Sequence, residues 1–303
     1  MKLKTQAPTA IEPDSTPATT IELKPTKTFQ APAGHNCTTC PAHNVGNLVR
    51  LGIDMSEWDY VIALAGNPNV GKSTIFNSLT GLRQHTGNWP GKTVTRAEGG
   101  YEYGGHRYKM VDLPGTYSLL STSLDEEVAR NFILFGQPDV TLIVVDATRL
   151  ERNLNLVLQV LEITDRAVVA LNLIDEAKRH GLTVDARSLA RDLGVPVVAT
   201  SARQRLGIDE LLQSISQVAT GSFVCKPHRI KSEPPALRRA ISTLVAQLDA
   251  VFPGLPNARW VAMRLLDGDT RIVDALQRGE LGDLTRDDPG VINGTLAMQL
   301  EAA

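Results

Sequence analysis

The run Gly66-Asn67-Pro68-Asn69-Val70-Gly71-Lys72-Ser73 has the residue types and spacing of a phosphate-binding loop, G-x-x-x-x-G-K-S. Glycines let the backbone wrap around a polyphosphate, so that successive N–H groups point at its anionic oxygens. Lys72 would add a positive charge for the β- and γ-phosphates, and the Ser73 hydroxyl could ligate Mg²⁺. A strand pattern over 60–65 precedes the loop and a helix pattern over 73–80 follows it, which is the order that phosphate binding requires.

Two later segments indicate which base is bound. Asn172-Leu173-Ile174-Asp175 follows an apolar strand pattern, and the Asp175 carboxylate could accept hydrogen bonds from both the ring N–H and the exocyclic amine of guanine. Ser201-Ala202-Arg203 follows another short apolar run, and a backbone N–H at that point suits the guanine carbonyl. Alone, Asp175 could be a helix N-cap and the second segment a polar turn. Together the two segments favour guanine over adenine.

Two segments between the phosphate loop and the base-binding motifs have the character of switches. Asp112-Leu113-Pro114-Gly115 ends a strand pattern, with a carboxylate for the Mg²⁺ shell and a Gly115 N–H placed to sense the γ-phosphate. Residues 84–94 form a polar loop in which Thr93 is the candidate second hydroxyl ligand to Mg²⁺, closing only when GTP is present. The alternative interpretation of Thr93 is an ordinary β-strand threonine.

The residue that would orient the attacking water differs from that of Ras-like enzymes. Those enzymes have a glutamine after the Asp-x-x-Gly glycine, and this chain has Thr116. We therefore expect slow intrinsic hydrolysis, or a water held by backbone groups and an added cation. Arg83, Arg96 and Arg130 are available as an arginine finger, although solvated arginines are the favoured interpretation.

Three further motifs, Gly87–Val94, Asp112–Leu119 and Asp146–Leu154, narrow the family. With the phosphate loop, they resemble the cytoplasmic G domain of the ferrous iron transport protein B family over roughly residues 58–220. The resemblance implies GTP binding and slow hydrolysis, with the nucleotide state gating Fe²⁺ uptake at the cytoplasmic face of the bacterial inner membrane. It also implies activation by potassium through Asn69. The chain departs from the usual family pattern at Lys92 and Thr95, and a soluble Era-type GTPase acting on RNA or ribosomes is the alternative.

These motifs define the candidate site. The candidate catalytic residues are Lys72, Thr93 and Gly115. The candidate residues for GTP or GDP are Gly66, Asn67, Pro68, Asn69, Val70, Gly71, Lys72, Ser73, Thr74, Gly91, Lys92, Thr93, Val94, Thr95, Asp112, Leu113, Pro114, Gly115, Asn172, Leu173, Ile174, Asp175, Ser201, Ala202 and Arg203. The candidate metal ligands are Ser73, Thr93 and Asp112 for Mg²⁺, and Asn69 for K⁺.

A second candidate metal site lies near the N-terminus. Two thiols and two imidazoles fall within nine residues, and Cys-x-x-Cys is a good chelate spacing for a tetrahedral Fe or Zn site. The alternatives are free reduced thiols or a redox-active pair. The four residues are His35, Cys37, Cys40 and His43.

Composition and pattern together predict the organisation of the chain. The 303 residues carry a formal net charge of −2 without a clustered basic face, so we expect no nucleic-acid partner. The apolar runs are too short for a transmembrane helix, and we expect the chain to be the soluble front part of a larger membrane protein. Its expected partners are guanine nucleotide and the membrane transport domain of the same polypeptide, and a second copy of the chain is a further candidate.

The fold class expected is α/β: a P-loop GTPase with a doubly wound, mostly parallel sheet, followed by a small all-helical domain. Residues 1–57 are expected to form a disordered arm that carries the Cys/His cluster. The G domain is expected over 58–220 and the helical domain over 221–281, with a poorly ordered tail at 282–303.

Overall fold

The computed structural model describes residues 48–49, 51–81, 84–90, 92–120, 123–229, 234–253 and 255–277. All of them belong to the structural unit Asn36–Ala303. The Cys/His cluster of the sequence analysis (His35, Cys37, Cys40 and His43), the candidate switch residue Gly91 and the tail at 282–303 lie outside the described residues.

A mostly parallel sheet of seven strands organises the described chain in the order β2-β3-β4-β1-β5-β6-β7. Pairing is parallel from β4 through β1, β5 and β6 to β7, and antiparallel where β2 meets β3 and β3 meets β4. The strands are β1 (Tyr60–Gly66), β2 (Gln84–Asn88), β3 (Thr95–Tyr103), β4 (His106–Asp112), β5 (Val140–Asp146), β6 (Ala167–Asn172) and β7 (Val197–Ala199). This topology confirms the predicted α/β fold class.

Helices follow most of the strands, as expected for a sheet that is covered on both faces. The helices are α1 (Lys72–Thr80), α2 (Leu124–Gly136), α3 (Leu150–Ile163), α4 (Ile174–Arg179), α5 (Ala186–Leu193), α6 (Ile208–Ala219), α7 (Pro235–Val251), α8 (Ala258–Leu266) and α9 (Thr270–Gln277). Short 3₁₀ turns occupy Ala147–Arg149 and Ala202–Gln204.

The central strands are buried along nearly their whole length. Every residue of β6 is buried, and so is every residue of β1 after Tyr60. Strands of this kind read as continuous apolar runs because helices cover both faces of a parallel sheet. Strands β3 and β4 form an antiparallel hairpin, and Gly104 and Gly105 both take positive φ angles in its turn.

Two elements differ from the sequence-based expectation. Residues 84–88 were expected in a polar loop, but they form β2, paired with β3 in a register that sets Gln84 opposite Gly99. Main-chain hydrogen bonds to β3 stabilise this strand, so no apolar alternation marks it in the sequence. Helix α4, at Ile174–Arg179, was not predicted because six residues are too few to show a helical period.

The prediction of a disordered N-terminal arm includes residues that the structure places in the core. Leu48 and Ile53 are buried in the same hydrophobic core as the sheet, so the prediction of disorder up to residue 57 is wrong for this last stretch. A short segment with isolated apolar residues has no period that the sequence could show. Burying those few side chains against the core is a tertiary effect.

The helices that follow the sheet pack on one another and on α2. Trp260 of α8 is buried in the hydrophobic core. The Arg271 guanidinium donates to the Ser123 carbonyl at 3.0 Å, and the buried Arg130 of α2 lies 3.7 Å from Asp269. The helical part therefore contacts the element that follows the second switch. Among the described residues, no helix combines the length and the apolar character needed to span a bilayer.

Candidate nucleotide-binding site

The phosphate loop runs from the end of β1 to the start of α1, and two close approaches define its path. A Cβ atom on Gly66 would lie 2.7 Å from the Val144 carbonyl oxygen. Gly71 has φ of +84°, and a Cβ atom there would lie 2.4 Å from Asn172 Nδ2. Both positions therefore need glycine for space, and Gly71 needs it for conformation as well. The Ser73 side chain lies exposed in the first turn of α1.

Asn172, at the end of β6, joins the phosphate loop to the base-binding segments. Its amide nitrogen donates to the Val70 carbonyl at 2.9 Å. Its amide oxygen accepts from the Ala202 N–H at 3.1 Å and from the Thr200 hydroxyl at 3.3 Å. Because this side chain is only 1% exposed, these bonds form away from competing water. One buried amide thus holds the three segments that the sequence predicted as the nucleotide site in one arrangement.

The Asp175 carboxylate lies in the first turn of α4, partly exposed to solvent. The adjacent Ser201 hydroxyl, with a further contribution from the charge of Arg179, holds the pKa of Asp175 below its usual range. The group is thus ionised at neutral pH and can accept two hydrogen bonds. The Ala202 N–H belongs to the segment in which the sequence predicted a backbone contact to the guanine carbonyl, and it donates to Asn172 in this structure. The role of the Ser201–Arg203 segment in base recognition stays a prediction.

Lys72 and Asp112 form an ion pair at the centre of the candidate site. The Lys72 ammonium also donates to the Leu113 carbonyl at 2.7 Å. Burial raises the pKa of Asp112 and outweighs the opposing attraction of Lys72. The start of the second switch lies against the phosphate loop, since the Thr116 N–H donates to the Gly66 carbonyl at 3.3 Å. The structure therefore brings the phosphate loop and the Asp-x-x-Gly motif together.

The first switch is attached to α2 by two side chains. Trp89 is buried, with its ring centroid 5.3 Å from that of Phe132 in an edge-on arrangement. The Lys92 ammonium lies 2.7 Å from the Glu127 carboxylate. Burial raises the pKa of Glu127, but the bond from Lys92 and nearby positive charges outweigh it and lower the pKa overall. Thr93, the candidate second Mg²⁺ ligand, is exposed in this arrangement.

The structure assigns structural partners to two arginines that the sequence had offered as arginine fingers. Arg96 donates to the Leu51 carbonyl at 3.2 Å and pairs with Glu98 at 2.7 Å. Arg130 is 1% exposed in the core beside Asp269. Arg83 lies outside the described residues. The interpretation of Arg96 and Arg130 as solvated arginines is wrong, because both make buried or half-buried contacts.

Sequence reasoning missed two contacts that hold the second switch. The Leu119 N–H donates to the Gln159 side chain of α3 at 2.6 Å. The Arg152 guanidinium lies over the Tyr117 ring, 4.2 Å from its centroid, at a cation–π distance. Arg152 belongs to the Asp146–Leu154 motif, which served in the sequence only as a family signature. Contacts between segments far apart in sequence leave no local pattern that could have shown them.

The fold and the site together define a class of protein. A strand, a G-x-x-x-x-G-K-S loop and a helix are followed by an Asp-x-x-Gly segment at the carboxyl end of β4 and an Asn-x-x-Asp segment at the carboxyl end of β6, in the same parallel part of the sheet. That combination is the P-loop GTPase fold. The sequence model described as "Ferrous iron transport protein B" matches residues 60–215, and the chain belongs to this family.

Curated relatives agree with this assignment. The chain is 42% identical over 212 residues to the Fe(2+) transporter FeoB of Salmonella typhimurium, and likewise to that of Escherichia coli K12. Each match covers 69% of this chain and 27% of the relative, so the chain spans about a quarter of the length of those proteins. The comparisons favour the iron-transport family over the Era-type alternative.

Solved structures extend the similarity beyond the sheet. The cytosolic domain of L. pneumophila FeoB is 36% identical with a TM-score of 0.65, and the match covers 75% of this chain and 90% of that one. The cytosolic domain of the T. maritima FeoB iron transporter in GDP form II is 33% identical with a TM-score of 0.64, covering 80% of this chain and 93% of that one. The similarity therefore reaches past the family match into the helical part.

Proposed function

We propose that this chain is the GTP-binding and slowly GTP-hydrolysing module of an Fe²⁺ transporter, and that its nucleotide state gates transport. The observation that carries the proposal is Asn172, whose buried amide holds the phosphate loop to both base-binding segments. Family membership and the GDP forms of the T. maritima relative support guanine as the base. Asp175, ionised and accessible, would accept from the ring N–H and the exocyclic amine of that base.

The residues present fit a magnesium ion. Ser73 and Thr93 supply hydroxyl oxygens and Asp112 supplies a carboxylate, which are the hard oxygen ligands that Mg²⁺ prefers. In this structure Asp112 is paired with Lys72, so binding of nucleotide would transfer Lys72 to the phosphate oxygens and free the carboxylate. A bound Mg²⁺ would neutralise charge on the β- and γ-phosphates. Thr93 and the Gly115 N–H would then report the presence of the γ-phosphate.

Asn69 is the proposed potassium ligand. It has φ of +67° in the phosphate loop, and its side chain is exposed rather than committed to the core. Thr116 stands in the place of a water-orienting glutamine, and the described Arg96 and Arg130 are held elsewhere. An added monovalent cation beside the phosphates would supply the positive charge that is otherwise missing.

The proposal includes partners that are not part of this sequence. The membrane transport domain of the same polypeptide is the proposed partner, at the cytoplasmic face of the bacterial inner membrane, because the match covers only 27% of the curated relative's length. A homo-oligomer remains part of the proposal, as does an Fe or Zn site at His35, Cys37, Cys40 and His43, which lie outside the described residues. An immunoblot of fractionated native cells tests the first point: a much larger membrane band is expected, and a soluble band at 32.8 kDa would contradict it.

Nucleotide competition and hydrolysis test the activity itself. GDP should displace a fluorescent guanine nucleotide at a concentration about 100-fold lower than ADP, because adenine leaves Asp175 unpaired. Phosphate release from GTP should be faster in potassium chloride than in sodium chloride, and Asn69→Ala should remove that difference. Equal displacement by ADP would reject guanine recognition, and a retained potassium effect would reject Asn69 as the ligand.

A further inference from the structure

Residues 51–58, which we call the N-terminal strap, lie just before the residues that match the family, 60–215. The strap is attached to β3 and β4 through its backbone. The Leu51 carbonyl accepts from the Arg96 guanidinium at 3.2 Å, and the Asp54 carbonyl accepts from the Lys109 ammonium at 2.8 Å. Trp58 completes the attachment by lying directly over Gly100, where no side chain would leave it room.

A single carboxylate ties the two attachment points together. Glu98 lies 2.7 Å from Arg96 Nε and 2.7 Å from Lys109 Nζ. The three side chains are between 8% and 15% exposed, so the charges are shielded from most solvent. Charge-assisted bonds at such a site are stronger and more directional than those on an open surface. The strap is therefore held at a fixed place on the sheet.

The held strap touches the first switch directly. Gly52 has φ of +80°, and a Cβ atom there would lie 2.9 Å from Pro90 Cγ and 3.1 Å from an Arg96 nitrogen. Arg96 also lies 5.3 Å from the centroid of the Trp89 ring. Leu51 lines a cleft with Trp89, Pro90 and α2. The strap thus forms one wall of the pocket in which Trp89 is buried.

The arrangement of the first switch that the strap contacts contains a buried polar group without a hydrogen bond. The Trp89 indole N–H is buried and makes no hydrogen bond within the part of the chain that the structure describes. Burying a donor without an acceptor is unfavourable, so packing from elsewhere must stabilise this arrangement. The pocket formed by the strap and α2 supplies that packing. Thr93 stays exposed at the same time.

We propose that the N-terminal strap is a positioning element that holds the first switch open, with Trp89 packed against α2 and Thr93 exposed to solvent. This inference rests on the proposed function, since it concerns how that site distinguishes GTP from GDP. Closing Thr93 onto a GTP-bound metal would require the switch to leave the strap. The strap therefore lowers affinity for GTP relative to GDP, by the amount that it stabilises the open arrangement.

The test uses two glycines with nearly equal φ angles. Gly52→Ala places a methyl group against Pro90 at φ of +80°, whereas Gly105→Ala adds one at φ of +81° with no atom within 4 Å. Both changes carry the same backbone strain, and only the first disturbs the contact between strap and switch. Leu51→Ala is a second variant, which weakens the same wall of the pocket without backbone strain.

The measurement is the dissociation constant of GDP divided by that of a non-hydrolysable GTP analogue, in the full chain. Gly52→Ala and Leu51→Ala should raise this ratio, on the order of fivefold, which is the lower end of couplings usually found between sites. Gly105→Ala should leave the ratio unchanged. An unchanged ratio in both strap variants, or a lowered one, overturns the inference. If the unmodified chain binds no guanine nucleotide at all, it is the proposed function that fails.

Discussion

The phosphate loop and the first switch both belong to the candidate nucleotide site, but they are held by different kinds of contact. The phosphate loop is fixed by Asn172, which is 1% exposed, and by the close approach at Gly71. The first switch is fixed by the Lys92–Glu127 pair, whose side chains are 26% and 21% exposed, and by a pocket for Trp89. Buried bonds cost a great deal to break, whereas half-exposed pairs exchange readily with water.

This difference fits the two tasks of a nucleotide switch. A phosphate site must be in place before the ligand arrives, because ordering it on binding would cost affinity. A segment that senses the γ-phosphate must have two arrangements of similar free energy, or the ligand could not choose between them. The buried bonds of Asn172 give the loop the first property, and the partly exposed Lys92–Glu127 pair of the switch is the weaker kind of contact that the second requires.

The largest effect is expected from a change that disturbs the phosphate loop. Gly71→Ala would place a methyl group 2.4 Å from Asn172 Nδ2 at a positive φ, so we expect GDP affinity to fall by about 100-fold or more. Gly81→Ala is the matched control, because Gly81 also has a positive φ but no atom lies within 4 Å of the added methyl group. Isothermal titration with GDP measures both variants. Equal affinities would show that Asn172 does not fix the loop.

A smaller effect is expected at Asp175, the residue that we propose contacts the guanine base. Asp175→Asn should weaken GDP binding by about 1–3 kcal/mol, because two hydrogen bonds to the guanine edge are lost. Xanthosine diphosphate, which has a carbonyl in place of the exocyclic amine, should bind more tightly to the variant than to the unmodified chain. Competition titrations with the two nucleotides measure this change in base preference. An unaltered GDP affinity would remove Asp175 from base recognition.

The smallest effect is expected in the switch. Glu127→Gln removes the carboxylate that pairs with Lys92 and Arg271, and both pairs are partly exposed, so the free energy of unfolding should fall by only about 1 kcal/mol. Because the pKa of Glu127 is lowered in the folded chain, this contribution should be complete above the usual glutamate pKa and lost as the pH falls through the lowered value. Urea denaturation at several pH values measures it. If the free energy of unfolding fell by several kcal/mol, the first switch would be held as firmly as the phosphate loop.

Much of the fold was predictable because its strands are long apolar runs and its loops carry distinctive residues. The phosphate loop between β1 and α1 and the apolar strands that end at the Asp-x-x-Gly and Asn-x-x-Asp segments follow from local pattern. Strand β2 and helix α4 were missed because neither has an apolar period. The burial of Leu48 and Ile53 was missed because the core that covers them comes from residues far along the chain.

The sequence by itself determined the chemistry that we propose for this protein: a lysine and a hydroxyl in a glycine-containing loop, a candidate carboxylate for a metal and another for guanine. Those assignments depend on residue type and short spacing, which the chain carries locally. The tertiary structure alone decided how these groups are held. Asn172 reaches Val70 across 102 residues, Arg96 reaches Leu51 across 45, and Lys72 is paired with Asp112. Contacts of that range depend on packing, because only the folded sheet brings those segments within bonding distance.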